Sequence, residues 1–344
     1  MNPAPAHGSR VPPASRGLAA RWLHALQTTN VPEGAEVDPV SKWLIATRAS
    51  VLPMTLFAGA IGGLMAVADG PVSLGLWSLC LLGLLLAHVA NNLMNDYFDT
   101  RSGVDTPDYV RAQYAPHPLL SGLVTPLEML GAIALVNVLG VAVALVLTAE
   151  RGFAALAFAL AGFALSVFYV APPLRLKHHG FGEPSVFVIW GPLMVAGSYF
   201  IASGSLTASV WLASVPYGLL VTAVLFGKHI DKITLDTAKG IHTLPVLLGP
   251  ERSRRVARGL IVGFYATVAL EVAAGVLTPW AVLVGASLPR ANRVLRAFRA
   301  EPPAQPPAGY PLWPLWYVAA AFALVRQAGA LLVLGLLIAA LVHG

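Results

Sequence analysis

The chain has 344 residues, 57% of them hydrophobic and only 11% charged, with a mean hydropathy of +0.71. A soluble domain carries roughly 25% charged residues, so a soluble fold is excluded. The net charge of +6 and pI of 9.6 do not mark a nucleic-acid binder, because the basic residues are scattered between apolar runs and not gathered on one polar face. The single cysteine, Cys80, lies inside an apolar run, with no disulfide partner and no companion ligands for a metal.

Residues 1–42 are rich in Pro, Ala and Arg without a continuous apolar core, so no cleavable signal peptide is visible. They read as a flexible cytosolic extension with a short interfacial lead-in at its end, near Trp43, and 43–344 reads as one membrane-embedded domain. Apolar runs long enough to cross about 30 Å of hydrocarbon predict spans near 46–67, 73–94, 125–147, 153–170, 185–202, 208–227, 257–277, 279–297 and 316–342. The expected fold is an all-α integral membrane protein of about nine transmembrane helices. The eighth span is the least regular, since its last turns carry Arg290, Arg293 and Arg296. The ninth contains Arg326 and Gln327, which suits a bent helix after an interfacial segment.

Cytosolic loops retain Lys and Arg. Nearly all of the 22 basic residues fall in the N-terminal extension and alternate connections. The opposite connections, Asp69-Gly70-Pro71, Glu150-Arg151-Gly152, Gly204-Ser205 and Thr278-Pro279, hold Arg151 alone. The N-terminus and the long polar loops are therefore expected to face the cytosol from the cytoplasmic membrane. Two acidic clusters lie on that side, Asp96, Asp99, Asp105 and Asp108 after the second span and Asp231 and Asp236 after the sixth. Their separation by one repeat of four helices suggests a pseudo-duplicated bundle with its site between the halves.

The second span ends in Asn91-Asn92-Leu93-Met94-Asn95-Asp96-Tyr97-Phe98-Asp99. Asn95 and Asp99, and likewise Asn92 and Asp96, are four residues apart and share a helix face. Carboxylates at membrane depth are costly and usually functional. Oxygen ligands with room for water and phosphate suit Mg²⁺. A cap on the helix end would need one such residue, not several on adjacent faces.

These residues resemble the first aspartate-rich motif of the UbiA superfamily of intramembrane prenyltransferases, closest to its MenA-like, menaquinone-forming branch. The matching positions are Asn95, Asp99, Gly103 and Asp105. Two further stretches are similar, Tyr169 to Lys177 with Gly180-Phe181-Gly182-Glu183, and Asp236 through Gly240 to Gly249. The resemblance runs from about residue 45 to the C-terminus and implies a UbiA-like bundle. It implies Mg²⁺ held among Asn92, Asn95, Asp96, Asp99, Asp105, Asp231 and Asp236, and a catalytic set of Asn95, Asp99, Asp236 and Tyr169. Lys177, Arg175, Lys228, Lys232 and Lys239 would then meet the diphosphate of a polyprenyl substrate.

The second motif departs from the family pattern, because Lys232 stands four before Asp236 where a second acid is expected. Asp231, five before it, lies about 140° away on a regular helix. Either the helix unwinds so that Asp231 and Asp236 converge, or Asp236 acts alone and Lys228 or Lys232 adds charge at the diphosphate.

The reaction implied is ionisation of the diphosphate to an allylic cation, captured by an aromatic or other lipid-precursor acceptor. Tyr97, Phe98, Phe168, Tyr169, Trp190, Tyr199 and Phe226 are candidates for a water-poor aromatic chamber. His178, His179, His229 and His242, in cytosolic loops or at helix ends, read as polar-loop residues and not zinc ligands. The alternatives are a terpene cyclase using the same ionisation, and a non-catalytic transporter of an anionic lipid using the segments broken at Pro172-Pro173 and Pro192. The residues leave the oligomeric state open.

Overall fold

The computed structural model describes residues 17–31, 36–308, 310 and 312–343. Of the expected N-terminal extension, residues 1–16 and 32–35 lie outside the described residues. The remainder contains α1 (Leu18–Thr28) and α2 (Pro39–Ala46). Asp38 caps α2, accepting from Val40 and Ser41 N–H at 3.0 and 3.1 Å, and also accepts from the Trp22 indole at 2.9 Å, which ties α1 to α2.

Eight helices among the described residues are long and apolar enough to cross a membrane. They are α3 (Pro53–Asp69), α4 (Leu74–Arg101), α6 (Pro126–Arg151), α7 (Phe153–Val170), α8 (Gly182–Ser203), α9 (Ala208–Ile230), α12 (Pro250–Ala273) and α14 (Tyr317–His343). Short helices α5 (Val110–Tyr114), α10 (Ile233–Ala238), α11 (Leu244–Leu248) and α13 (Leu288–Ala297) sit in the connections. The remaining expected span, 279–297, is a 3₁₀ stretch, Pro279–Ser287, running into α13. Pro279, Gly285 and Pro289 punctuate it, and Pro removes helix donors.

The bundle is organised around α9, which packs on α8, α12 and α14, while α3 packs on α8 and α14. Small residues allow the close crossings. A Cβ at Gly62 of α3 would collide with the Val195 carbonyl of α8, and one at Gly227 would lie 2.8 Å from Val318 N, at the start of α14. On the other side α4, α6 and α7 form a looser wall. Inside α8, Ile189–Leu193 form a π turn containing Pro192. Such a bulge re-aims neighbouring side chains and is frequent at functional sites.

At 28 residues, α4 is about 42 Å long at 1.5 Å per residue, longer than the hydrocarbon is thick. Its polar end therefore continues as helix past the apolar layer. The loop after α7 meets the loop after α10 through the bridge of His179 with His242, where His242 N–H donates to the His178 carbonyl at 3.1 Å. The polar ends of the two halves are thus joined.

Candidate active site

A cavity of about 610 Å³ opens between α3, α4, α6, α7, α8 and α9. Of the residues singled out by sequence, Asn92, Asn95, Asp99, Asp105, Tyr169, Lys177, Lys228 and Lys232 line it. Asn95 and Asp99 converge on one ammonium group: Lys177 Nζ donates to Asp99 Oδ2 at 2.7 Å and to Asn95 Oδ1 at 3.4 Å. This places a cation against the oxygens of the first motif. Lys228, half-buried on the opposite wall, has no hydrogen-bond or ion-pair partner among the described residues.

The second motif meets the same space through Tyr109. The Tyr109 hydroxyl donates to Asp236 Oδ1 and accepts from Lys232 Nζ at 2.9 Å. Lys232 Nζ is also 3.6 Å from Asp236. Asp236 Oδ2 is buried with no hydrogen-bond partner among the described residues, an orphaned oxygen that a metal ion can satisfy. Burial, followed by the adjacent Asp236 carboxylate, holds the Tyr109 phenol well above its ordinary pKa, so it remains a donor.

Asp96 and Asp231 are engaged elsewhere. Asp96 is fully buried and paired with Arg48, and with Arg111 at 3.2 Å. Arg48 takes a left-handed backbone conformation, φ +52°, at the turn before α3, at a cost on the order of 1 kcal/mol for a non-glycine residue. That conformation aims its guanidinium at Asp96. Asp96, Asp105 and His117 offer three ligand atoms within 4.8 Å of one another, but two guanidinium groups already neutralise Asp96 and oppose a further cation there. Burial alone would raise the Asp105 pKa, but the hydrogen bond from His117, 3.0 Å away, draws it below its ordinary value.

The chain does leave the helix after Ile230, yet Asp231 turns away from Asp236. Its two oxygens accept from Tyr317 and Val318 N–H at 2.9 and 3.0 Å, capping α14. Arg175 is exposed and does not line the cavity. Lys239 Nζ is held by the Gly103 and Val104 carbonyls and the Thr106 hydroxyl, at 3.1, 2.7 and 3.0 Å.

The sequence pattern of the UbiA prenyltransferase family matches residues 54–310. The chain belongs to this family. It is a membrane-embedded prenyltransferase. A 1,4-dihydroxy-2-naphthoate octaprenyltransferase of Escherichia coli is 29% identical over 68% of this chain and 77% of its own length. A 2-carboxy-1,4-naphthoquinone phytyltransferase of Synechocystis is 28% identical over 78% of this chain and 87% of its own. The apo structure of a UbiA homologue from Aeropyrum pernix superposes with a TM-score of 0.62 at 18% identity, over 83% of this chain and 98% of that one. A homologue from Archaeoglobus fulgidus, solved with GPP and Mg²⁺, gives 0.55 at 15% identity, over 85% and 99%. The solved structures establish the shared fold, and the naphthoate enzymes agree with the MenA-like resemblance.

Several residues of this family member escape sequence reasoning. Arg48 reads there only as positive charge at the start of the first span and Arg111 as positive charge in a loop, and Tyr109 has no motif of its own. Their partners lie 48, 15 and 127 residues away in the chain. His229 does sit at a helix end, that of α9, but it is buried, with Nδ1 2.6 Å from Glu183 Oε1, and not a polar surface residue. Of the aromatic candidates, Tyr169 and Trp190 line the cavity. Tyr199 instead donates to Asp69 at 2.7 Å near the other end of the bundle, and Phe226 is packed in the core.

Proposed function

We propose that the chain transfers a polyprenyl group from its diphosphate to a hydroxynaphthoate acceptor, in a Mg²⁺-dependent step of menaquinone-type quinone formation. The observation that carries this reading is one cavity lined by Asn95 and Asp99 of the first acid motif, by Lys177, Lys228 and Lys232, and by Tyr109, whose hydroxyl holds Asp236 of the second motif. Asn95, Asp99 and Asp236 would hold Mg²⁺, which when bound supplies positive charge to the leaving diphosphate. The orphaned Asp236 Oδ2 and the ammonium drawn between Asn95 and Asp99 support that assignment.

Lys177, Lys228 and Lys232 bind the phosphate oxygens, and Lys177 leaves Asp99 when the charged substrate arrives. The allylic C–O bond breaks with its electron pair departing on the diphosphate. The cationic carbon is then captured by the electron-rich ring of the acceptor, whose ring proton or carboxyl group leaves. Tyr169, on the cavity wall, presents an aromatic face that favours a cation. The apolar walls from α6 and α7 exclude water that would quench it. The clustering of basic residues at this end of the helices supports a cytosolic orientation for the site.

The test is product analysis by mass spectrometry. Purified protein in nanodiscs receives an oligoprenyl diphosphate and 1,4-dihydroxy-2-naphthoate, with Mg²⁺ or with chelator. A prenylated naphthoquinol formed only with Mg²⁺ is expected. Diphosphate release with a cyclic hydrocarbon, independent of the acceptor, would replace this reading with a cyclase.

A further inference from the structure

Below its charged end the cavity has two unlike walls. Asn91 of α4 turns toward α7, where its side-chain amide donates to the Ser166 carbonyl and hydroxyl at 3.1 and 3.0 Å. From there the α6 and α7 wall is apolar, with Val141, Leu156, Leu160 and Phe163. His88, one turn before Asn91, turns instead toward α3, with Nδ1 2.7 Å from the Thr55 hydroxyl. Its ring meets Trp190 edge to face, with centroids 5.2 Å apart and planes at 83°. Trp190 belongs to the π turn of α8 and lines the cavity, and its indole N–H has no hydrogen-bond partner among the described residues.

His88 is the only imidazole lining the cavity among the described residues. With Thr55 at Nδ1, Nε2 is the nitrogen left for a ligand. The position lies two helical turns, about 10 Å, below Asn95, within reach of a fused ring whose reacting edge sits beside the diphosphate. Lys228, a cation without an ion-pair partner among the described residues, lines the same cavity, and its sign suits an acceptor bearing an acid.

We propose that His88 and Trp190 form the acceptor subsite, taking a hydroxylated fused aromatic acid. Its hydroxyl hydrogen-bonds His88 Nε2 and its ring lies against the Trp190 indole, while the prenyl chain follows the α6 and α7 wall. This rests on the transferase reading above. A polar group fixed in an apolar chamber discriminates strongly against analogues that cannot pair with it.

The experiment compares wild type, His88→Phe and His88→Gln, with His88→Leu if the Phe variant does not fold. It measures KM for the dihydroxynaphthoate and for the prenyl diphosphate, and competitive inhibition by 1-hydroxy-2-naphthoate against 2-naphthoate. Loss of the hydrogen bond is expected to raise acceptor KM about tenfold and leave the prenyl diphosphate KM within about twofold, with Gln restoring part of the loss. Wild type should prefer the hydroxylated inhibitor by a similar factor, and the Phe or Leu variant should not. An apolar variant with unchanged acceptor KM, or with the inhibitor preference retained, overturns the subsite alone. Wild type that binds prenyl diphosphate but transfers nothing to the naphthoate overturns the function and the subsite together.

Discussion

The ends of α4 and α9 solve the same problem with different parts. Each offers acids close together in sequence, and each gives one acid to the architecture and turns another to the site. After α4, Asp96 is locked between Arg48 and Arg111 while Asp99 faces the cavity. After α9, Asp231 caps α14 while Asp236 meets Tyr109 and keeps an oxygen free. The first half fixes its structural acid with a buried charge network, the second with backbone N–H groups. An acid-rich motif in a membrane protein is therefore not one functional unit, because a shift of a few residues changes both partner and role.

The largest expected effect falls on the structural acid of the first half. Asp96→Asn leaves two buried guanidinium groups without a counter-charge and should cost about 3–5 kcal/mol. Thermal unfolding in detergent and yield of folded protein measure it, and a variant as stable as wild type would break the division of labour. Asp99→Ala and Asp236→Ala should instead fold and lose at least roughly a hundredfold in turnover, measured as diphosphate release at saturating Mg²⁺.

Lys232→Ala comes next. It removes a cation from Tyr109 and Asp236 and should raise the KM for prenyl diphosphate on the order of tenfold. An unchanged KM would remove Lys232 from the diphosphate site. The smallest effect belongs to Asp231→Ala, which should cost about 1 kcal/mol through the lost cap on α14 and leave turnover within about twofold. A large loss of Mg²⁺-dependent turnover in that variant would instead make Asp231 the second acid of the motif.

The bundle was legible because the bilayer selects helix length. The expected span 153–170 coincides with α7, and most others differ by a few residues. The differences lie where hydropathy stops before the helix does. α4 continues through Asn95 and Asp99 to Arg101, and α12 begins at Pro250, ahead of the apolar run, with Glu251 to Arg258 along its first turns. The segment at 279–297 was apolar enough for a span, but it is divided at Ser287, a 3₁₀ stretch before it and a short helix with Pro289 in its first turn after it.

Within the site, residue types and approximate positions could be read from local spacing. Which neighbouring acid faces the cavity could not, since Arg48, Arg111 and the N–H groups of Tyr317 and Val318 come from distant segments. A helix end rotates about 100° per residue, and only those partners decide which carboxylate is captured.

The outer wall of the cavity is made by two of the three least enclosed spans, α6 and α7. Only 11% of the apolar window of α6 and 17% of that of α7 is buried inside the protein. Their other surfaces rest on acyl chains, so the reaction vessel is finished by the surrounding amphiphile. The enzyme's behaviour after extraction is accordingly a property of what replaces those chains. A short-chain detergent that packs poorly against α6 and α7 should let the chamber breathe and admit water without touching a single polar contact at its mouth, and return to a bilayer should restore the seal.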